Sequence, residues 1–177
     1  MSNTGSNSLD QQNWSGLDAS CGSLATLVGS QEAACVPIAI IQAMAQWLVK
    51  EEPDHYGYSQ LERDGKTVWA GVRNPVAQKH LRSIRRNDRV FYYHTGKEKA
   101  VVAIAKAASD AYPDPADATG KAYVVDIVPV AALKRPVTLA EIKAVPAFAS
   151  FPLTRIPRLS VMPVTDAEWD RIEKMSR

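Results

Sequence analysis

The chain holds three histidines, His55, His80 and His94, and two cysteines, Cys21 and Cys35. No two histidines stand at the His-x-x-x-His spacing that places two ligands on one helix face. No Ser-His-Asp order or Cys-His pair suggests an activated nucleophile either. A hydrolase reading therefore rests on His94 alone as a general base with Glu52 or Asp54 nearby. Both cysteines lie upstream of the first well-patterned segment, so the folded part has neither a disulfide framework nor a CxxC zinc site. The residue types leave another chemistry open, recognition of a flat ring. Trp47, Tyr58 and Trp69 offer π faces on which a base could stack, at about 1–3 kcal/mol per base. Asn74, His94, Thr95 and Ser160 offer hydrogen-bonding groups able to judge a base edge. Arg73, Lys79, Arg82, Arg85, Arg86 and Arg158 could meet phosphates, which position a strand without specifying its sequence. Each has a plainer alternative: a packed core Trp, a structural His, a solvated basic face.

These side chains need a scaffold, and length allows one ordinary domain with a tail. In 177 residues, 46% are hydrophobic and 23% charged, which fits a folded globular chain. All 21 Lys and Arg lie at or after Lys50, and Asp10, Asp18 and Glu32 precede it. From Gln46 onward the count is 21 basic against 16 acidic, the 19 total less those three, or a net +5. That is a mild basic bias, suited to a phosphate partner and to many other soluble domains. The apolar run at 33–45 contains Pro37 and falls short of the roughly 20 residues a membrane helix needs. Residues 1–32 lack the basic start of a signal peptide, so the expected setting is a reducing cytoplasm.

The polar residues at 1–32 show no periodicity, and the pattern changes abruptly at Met44. Residues 1–45 are read as an extension, with Met44 a possible true start, and 46–177 as the folded domain. Strands are expected at Trp47–Lys50, Thr67–Trp69, Arg89–Thr95 (alternating), Ala100–Ala107, Ala122–Val130 and Leu159–Met162. Ser59–Glu62, Thr138–Glu141 and Thr165–Glu168 each have the form of a capping box opening a helix. Asn74-Pro75 opens another, expected to run to about Arg86, with Ala77, Leu81 and Ile84 on its apolar stripe. Tyr112 to Pro115 reads as a loop. Short strands interrupted by short helices, without βαβ alternation, favour an α+β sheet curled into a small barrel.

Six motifs then stand in order: Trp47-Leu48-Val49-Lys50, Glu52-Pro53, Trp69 with Gly71-Val72-Arg73-Asn74, Phe91-Tyr92-Tyr93-His94, Ala111-Tyr112-Pro113-Asp114, and Arg158-Leu159-Ser160-Val161. As a set they resemble the EVE domain, similar to the thymocyte nuclear protein family within the PUA-like group. The resemblance implies a PUA-like pseudo-barrel of mainly antiparallel strands flanked by short helices. It also implies a non-catalytic module that binds nucleic acid carrying a modified base, with no cofactor, no metal and no obligate protein partner. The implied base pocket draws on Trp47, Lys50, Tyr58, Trp69, Gly71, Val72, Arg73, Asn74, His94, Thr95, Leu159 and Ser160. A small-molecule or nucleotide sensor using the same pocket is the alternative. Glu51 stands where the family commonly has Ser before Glu-Pro, Ala70 where it has an acid after Trp, and Thr95 where it has Ser after His. Gln78-Lys79-His80 also departs from the commoner run.

Overall fold

A computed structural model describes residues Met44–Arg177. In chain order the elements are β1 (Gln46–Glu51), α1 (Pro53–Tyr56), α2 (Tyr58–Asp64), β2 (Thr67–Trp69), α3 (Pro75–Ser83), β3 (Arg89–His94) and β4 (Ala100–Ala107). They continue with β5 (Tyr112–Pro113), β6 (Tyr123–Thr138), α4 (Leu139–Ala144), α5 (Pro152–Arg155), β7 (Val161–Val164) and α6 (Asp166–Met175). The strands form one mixed sheet in the order β2-β6-β4-β3-β1-β7, with β5 paired to β6. Only β1 and β3 run parallel, register Lys50 to Tyr93 and Glu51 to His94. Every other pairing among the described residues is antiparallel. Register shifts at Tyr92/Tyr93, Val101/Ala103 and Ile104/Ala105 add local twist, so the sheet curls into a half-barrel flanked by short helices.

Both faces of the central strands are covered. β3 alternates between these two faces as expected, and neither face is open to solvent: Val90 to His94 are all buried. On one face Phe91 stacks on Trp169 of α6, centroids 3.6 Å apart at 11°. On the other, Tyr92 meets Trp69 edge-on at 5.6 Å and Tyr58 at 5.7 Å. A strand covered on both sides carries no polar row, which is why both of its faces are apolar or aromatic.

Departures from the expected elements have local causes. The Ser59–Glu62 box does not form. α2 begins two residues earlier, with Gly57 as N-cap, and the free N–H of Tyr58 donates to Nε2 of His94 at 3.0 Å. A side chain from β3 thus satisfies an amide that a local cap would otherwise take. α3 ends at Ser83, short of Arg86, because Ile84 turns extended into the core while Asp88 Oδ2 accepts the Arg85 N–H and Asp110 accepts that of Arg86. β6 continues past Val130 to Thr138, and Pro129 is tolerated beside the irregularity at Ile104/Ala105. Tyr112–Pro113 forms a two-residue strand rather than loop alone, and the last strand begins at Val161, two residues later than expected. The Thr138 and Thr165 boxes both form, each threonine accepting from the N3 amide while the glutamate accepts in return.

Among the described residues no helix is long and apolar enough to cross a membrane. The suggested start at Met44 concerns upstream residues that lie outside the described part.

Candidate nucleic-acid interface

The segment from Trp69 to Arg73 leaves β2 and enters α3 through Gly71, whose φ of +75° is a conformation glycine adopts without strain. On one side it borders a depression of about 310 Å³ lined by Glu51, His55, Tyr56, Thr67, Trp69 and Gly71, with Val68 and Ala70 at the rim. On the other side it borders a groove of about 490 Å³ lined by Val72, Arg73, Gln78, Lys79, Arg82, Thr119 and Lys121 among others.

Trp69 is only 4% exposed. It belongs to the buried core and borders the depression from within, its ring edge-on to Tyr92, whose hydroxyl donates to the Tyr56 carbonyl at 2.8 Å. The Tyr56 hydroxyl donates to Asp64 Oδ2 at 2.8 Å. Glu51 Oε1 accepts from the Glu52 amide at 3.1 Å and lies 3.2 Å from His55 Nδ1. Its second oxygen has no partner among the described residues, so the depression combines an aromatic wall with an open carboxylate acceptor.

The groove is cationic. Arg73, Lys79, Arg82 and Lys121 face a single carboxylate, Asp117. That carboxylate accepts from the amides of Ala122, Thr119 and Lys121 and from the Thr119 hydroxyl, which together hold it well below the usual carboxylate range, at about 2. Its charge is committed to its own loop. Arg82 lies with its guanidinium carbon 4.5 Å over the Tyr123 ring and donates to the Lys121 carbonyl at 2.5 Å. Gln78, marked in the sequence only as a departure from the commoner run, donates to the carbonyls of Val72 (2.7 Å) and Tyr123 (3.2 Å) and accepts from the Tyr123 amide (2.9 Å). It ties the α3 entry loop to β6, and only the fold could reveal that.

The remaining expected pocket residues sit elsewhere. Trp47 is buried, its indole N–H donating to Asp88 Oδ2 at 2.8 Å. Tyr58 and Leu159 are core residues. The Asn74 side-chain oxygen caps α3, accepting from Val76 and Ala77. His94 has both ring nitrogens engaged, Nε2 by the Tyr58 amide and Nδ1 by Glu98 at 2.5 Å. Ser160 is half-buried and its carbonyl accepts the Lys50 amide at 2.9 Å. Lys50 and Thr95 line a different cavity, on the other face of the sheet. Of the expected phosphate contacts, Lys79 and Arg82 share the groove with Arg73; Arg85, Arg86 and Arg158 are exposed but outside it. Among the described residues no group of three His, Cys, Asp or Glu is arranged to hold a metal ion.

A curled mixed sheet with an aromatic depression beside a cationic groove is the build of a binding module. The chain belongs to the EVE domain family, whose model matches residues 45–175. It is 29% identical over 160 residues to thymocyte nuclear protein 1 of Rattus norvegicus, covering 71% of each chain. Among solved structures it superposes on a protein of Rhodopseudomonas palustris with a TM-score of 0.72 and 47% identity, covering 75% of this chain and 93% of that one. Human thymocyte nuclear protein 1, solved in complex with DNA containing 5-methylcytosine, superposes with a TM-score of 0.67 and 28% identity, covering 75% and 98%.

Proposed function

We infer that this protein is a non-catalytic nucleic-acid-binding module that reads a single modified base, a modified cytosine being the first candidate. The observation that carries the reading is the Trp69–Arg73 segment, which joins an aromatic depression to a cationic groove. The solved complex of human thymocyte nuclear protein 1 with DNA containing 5-methylcytosine supports the same class of ligand.

Reading one base requires taking it out of its stack, at a cost of a few kcal/mol, and contact with an aromatic ring offsets part of that cost. In the proposed arrangement the base enters beside Trp69, and the open oxygen of Glu51 accepts from its exocyclic amine, the contact carboxylates make to cytosine N4. Arg73, Lys79 and Arg82 hold the flanking phosphates in the groove. His94 is a positioning residue: with both nitrogens engaged it fixes the start of α2 against β3, and that arrangement supports a structural rather than a general-base role.

The test is a binding series with the full chain and matched oligonucleotides with and without 5-methylcytosine. Trp69 is packed on Tyr92, so Trp69→Ala would open a cavity at about 3–5 kcal/mol of fold stability. Trp69→Phe and Glu51→Gln are the usable variants. Each is expected to weaken binding of the modified strand by about 1 kcal/mol or more while changing the unmodified strand much less. Equal losses on both strands would remove the pocket from the reading. Free 5-methylcytidine binding as tightly as the oligonucleotide would make the protein a nucleoside sensor instead.

A further inference from the structure

Lys50 and Glu51 are neighbours on β1, so their side chains leave the sheet on opposite faces. Glu51 belongs to the Trp69 depression. Lys50, with its register partner Tyr93, opens into a separate cavity of about 270 Å³. Three lysines line it, Lys50 from β1, Lys99 from the turn before β4, and Lys143 from α4. Tyr93, Leu139, Leu153 and Pro157 give it an apolar floor, and no carboxylate is among its lining residues.

The polar groups there are unevenly committed. Lys50 Nζ donates once, to the Pro157 carbonyl at 3.1 Å, and lies 5.8 Å from the Tyr93 ring centroid. Burial lowers its pKa to about 8. Lys99 and Lys143 form no ion pair among the described residues. Tyr93 is only 3% exposed, and its hydroxyl has no hydrogen-bond partner among them. The two threonines at the site are occupied: Thr95 donates to Glu52, and Thr154 donates to the carbonyls of Phe148 and Phe151. What remains for a ligand is three ammonium groups and one phenol over an apolar floor.

We propose that this cavity is a second ligand site, for a phosphate-bearing small molecule whose apolar or aromatic body rests on Tyr93 and whose phosphate is held by Lys50, Lys99 and Lys143. Compact ammonium groups from three separate elements suit a phosphate, which offers several oxygens and up to two charges. A single planar carboxylate is matched better by an arginine fork. The phosphate can come from a free nucleotide or from the backbone of a bound strand. The site lies across the sheet from Trp69 and does not depend on the base reading.

Calorimetric titration of the full chain with adenosine 5′-monophosphate at low ionic strength tests this, with adenosine and inorganic phosphate as partial ligands. One saturable site is expected, binding the monophosphate more tightly than either part. Lys99→Gln combined with Lys143→Gln, both exposed positions, should weaken it at least tenfold. A control of equal charge loss, Lys134→Gln with Lys174→Gln, should change it less than twofold. An unaltered thermal transition in both double variants shows that they fold. Absence of saturation in the wild type, or equal losses in the two double variants, overturns the proposal. A 5-methylcytosine duplex that displaces the monophosphate identifies the strand backbone as the source, and simultaneous binding of both identifies a free ligand; either outcome retains the site.

Discussion

Asp88, which is buried, and Lys50, which is half-buried, show how single side chains set this structure. Asp88 is 4% exposed, and it accepts from the Ala45 amide at 3.0 Å, the Trp47 indole at 2.8 Å and the Arg85 amide at 2.9 Å. It thereby joins the start of β1 to the loop after α3. Asp88→Ala would leave those donors without a partner, at about 1–3 kcal/mol for each that stays buried. A loss of 2 kcal/mol or more in denaturant unfolding is expected, and a loss below 0.5 kcal/mol would contradict this role. Lys50 gives a dependence on pH. Burial lowers its folded pKa from the ordinary lysine value of 10.5 to about 8, so between these values the unfolded chain holds the proton and the folded one releases it. Stability therefore rises with pH from about 8. Burial raises the phenols of Tyr92 and Tyr93, the latter to about 12, so above pH 10 the unfolded chain loses protons that the folded chain keeps, and stability falls again. Unfolding measured from pH 7 to 11 should show this rise and fall, with the rise lost in Lys50→Met. A rise that persists in Lys50→Met would assign it to another group.

At the scale of elements, three sequences of the same form behave differently. Thr138 and Thr165 cap α4 and α6 by the reciprocal bonds their spacing predicts. Ser59 lies inside α2 and caps nothing, because His94 satisfies the first amide from across the sheet. Thr138→Ala and Thr165→Ala should each cost about 1 kcal/mol of stability. Ser59→Ala should cost almost nothing, and a comparable loss there would restore the local box. The contrast shows what a sequence can and cannot reveal. Features settled within four residues, such as the threonine boxes and the Asn74-Pro75 entry to α3, are legible because their partners are adjacent. The Val-rich and Ala-rich run of β4 is legible for a related reason, since near-complete burial leaves a continuous apolar stretch. The candidate site is legible only in part. Trp69, Gly71 and Arg73 lie together because one short segment carries them. Trp47, Asn74 and His94 carry the right chemistry, but it is spent on Asp88, on a helix start and on the Tyr58 amide. The partners of Trp47 and His94 stand 41 and 36 residues away along the chain, and Gln78 reaches 45, so no local pattern announces those three.

On the scale of the whole molecule, the net +5 of residues 46–177 matters less than where its charges stand. Arg73, Lys79, Arg82 and Lys121 converge on one groove lined by a single carboxylate among the described residues, which stays ionised and is hydrogen-bonded within its own loop, while Arg85, Arg86 and Arg158 lie outside it. If the groove holds phosphates, each contact releases condensed counterions, and the logarithm of the binding constant falls with the logarithm of salt by about 0.7–0.9 per contact. Lys79→Gln combined with Arg82→Gln should therefore flatten the salt slope by about 1.5 and weaken modified and unmodified strands alike, because phosphate contacts carry no base identity. Arg85→Gln with Arg86→Gln removes the same formal charge from outside the groove and should change the slope by less than half as much. Measuring both pairs against one duplex from 50 to 200 mM salt separates a located groove from diffuse positive charge. Equal slopes for the two pairs would mean that only net charge steers the partner and that the groove makes no direct contact with it.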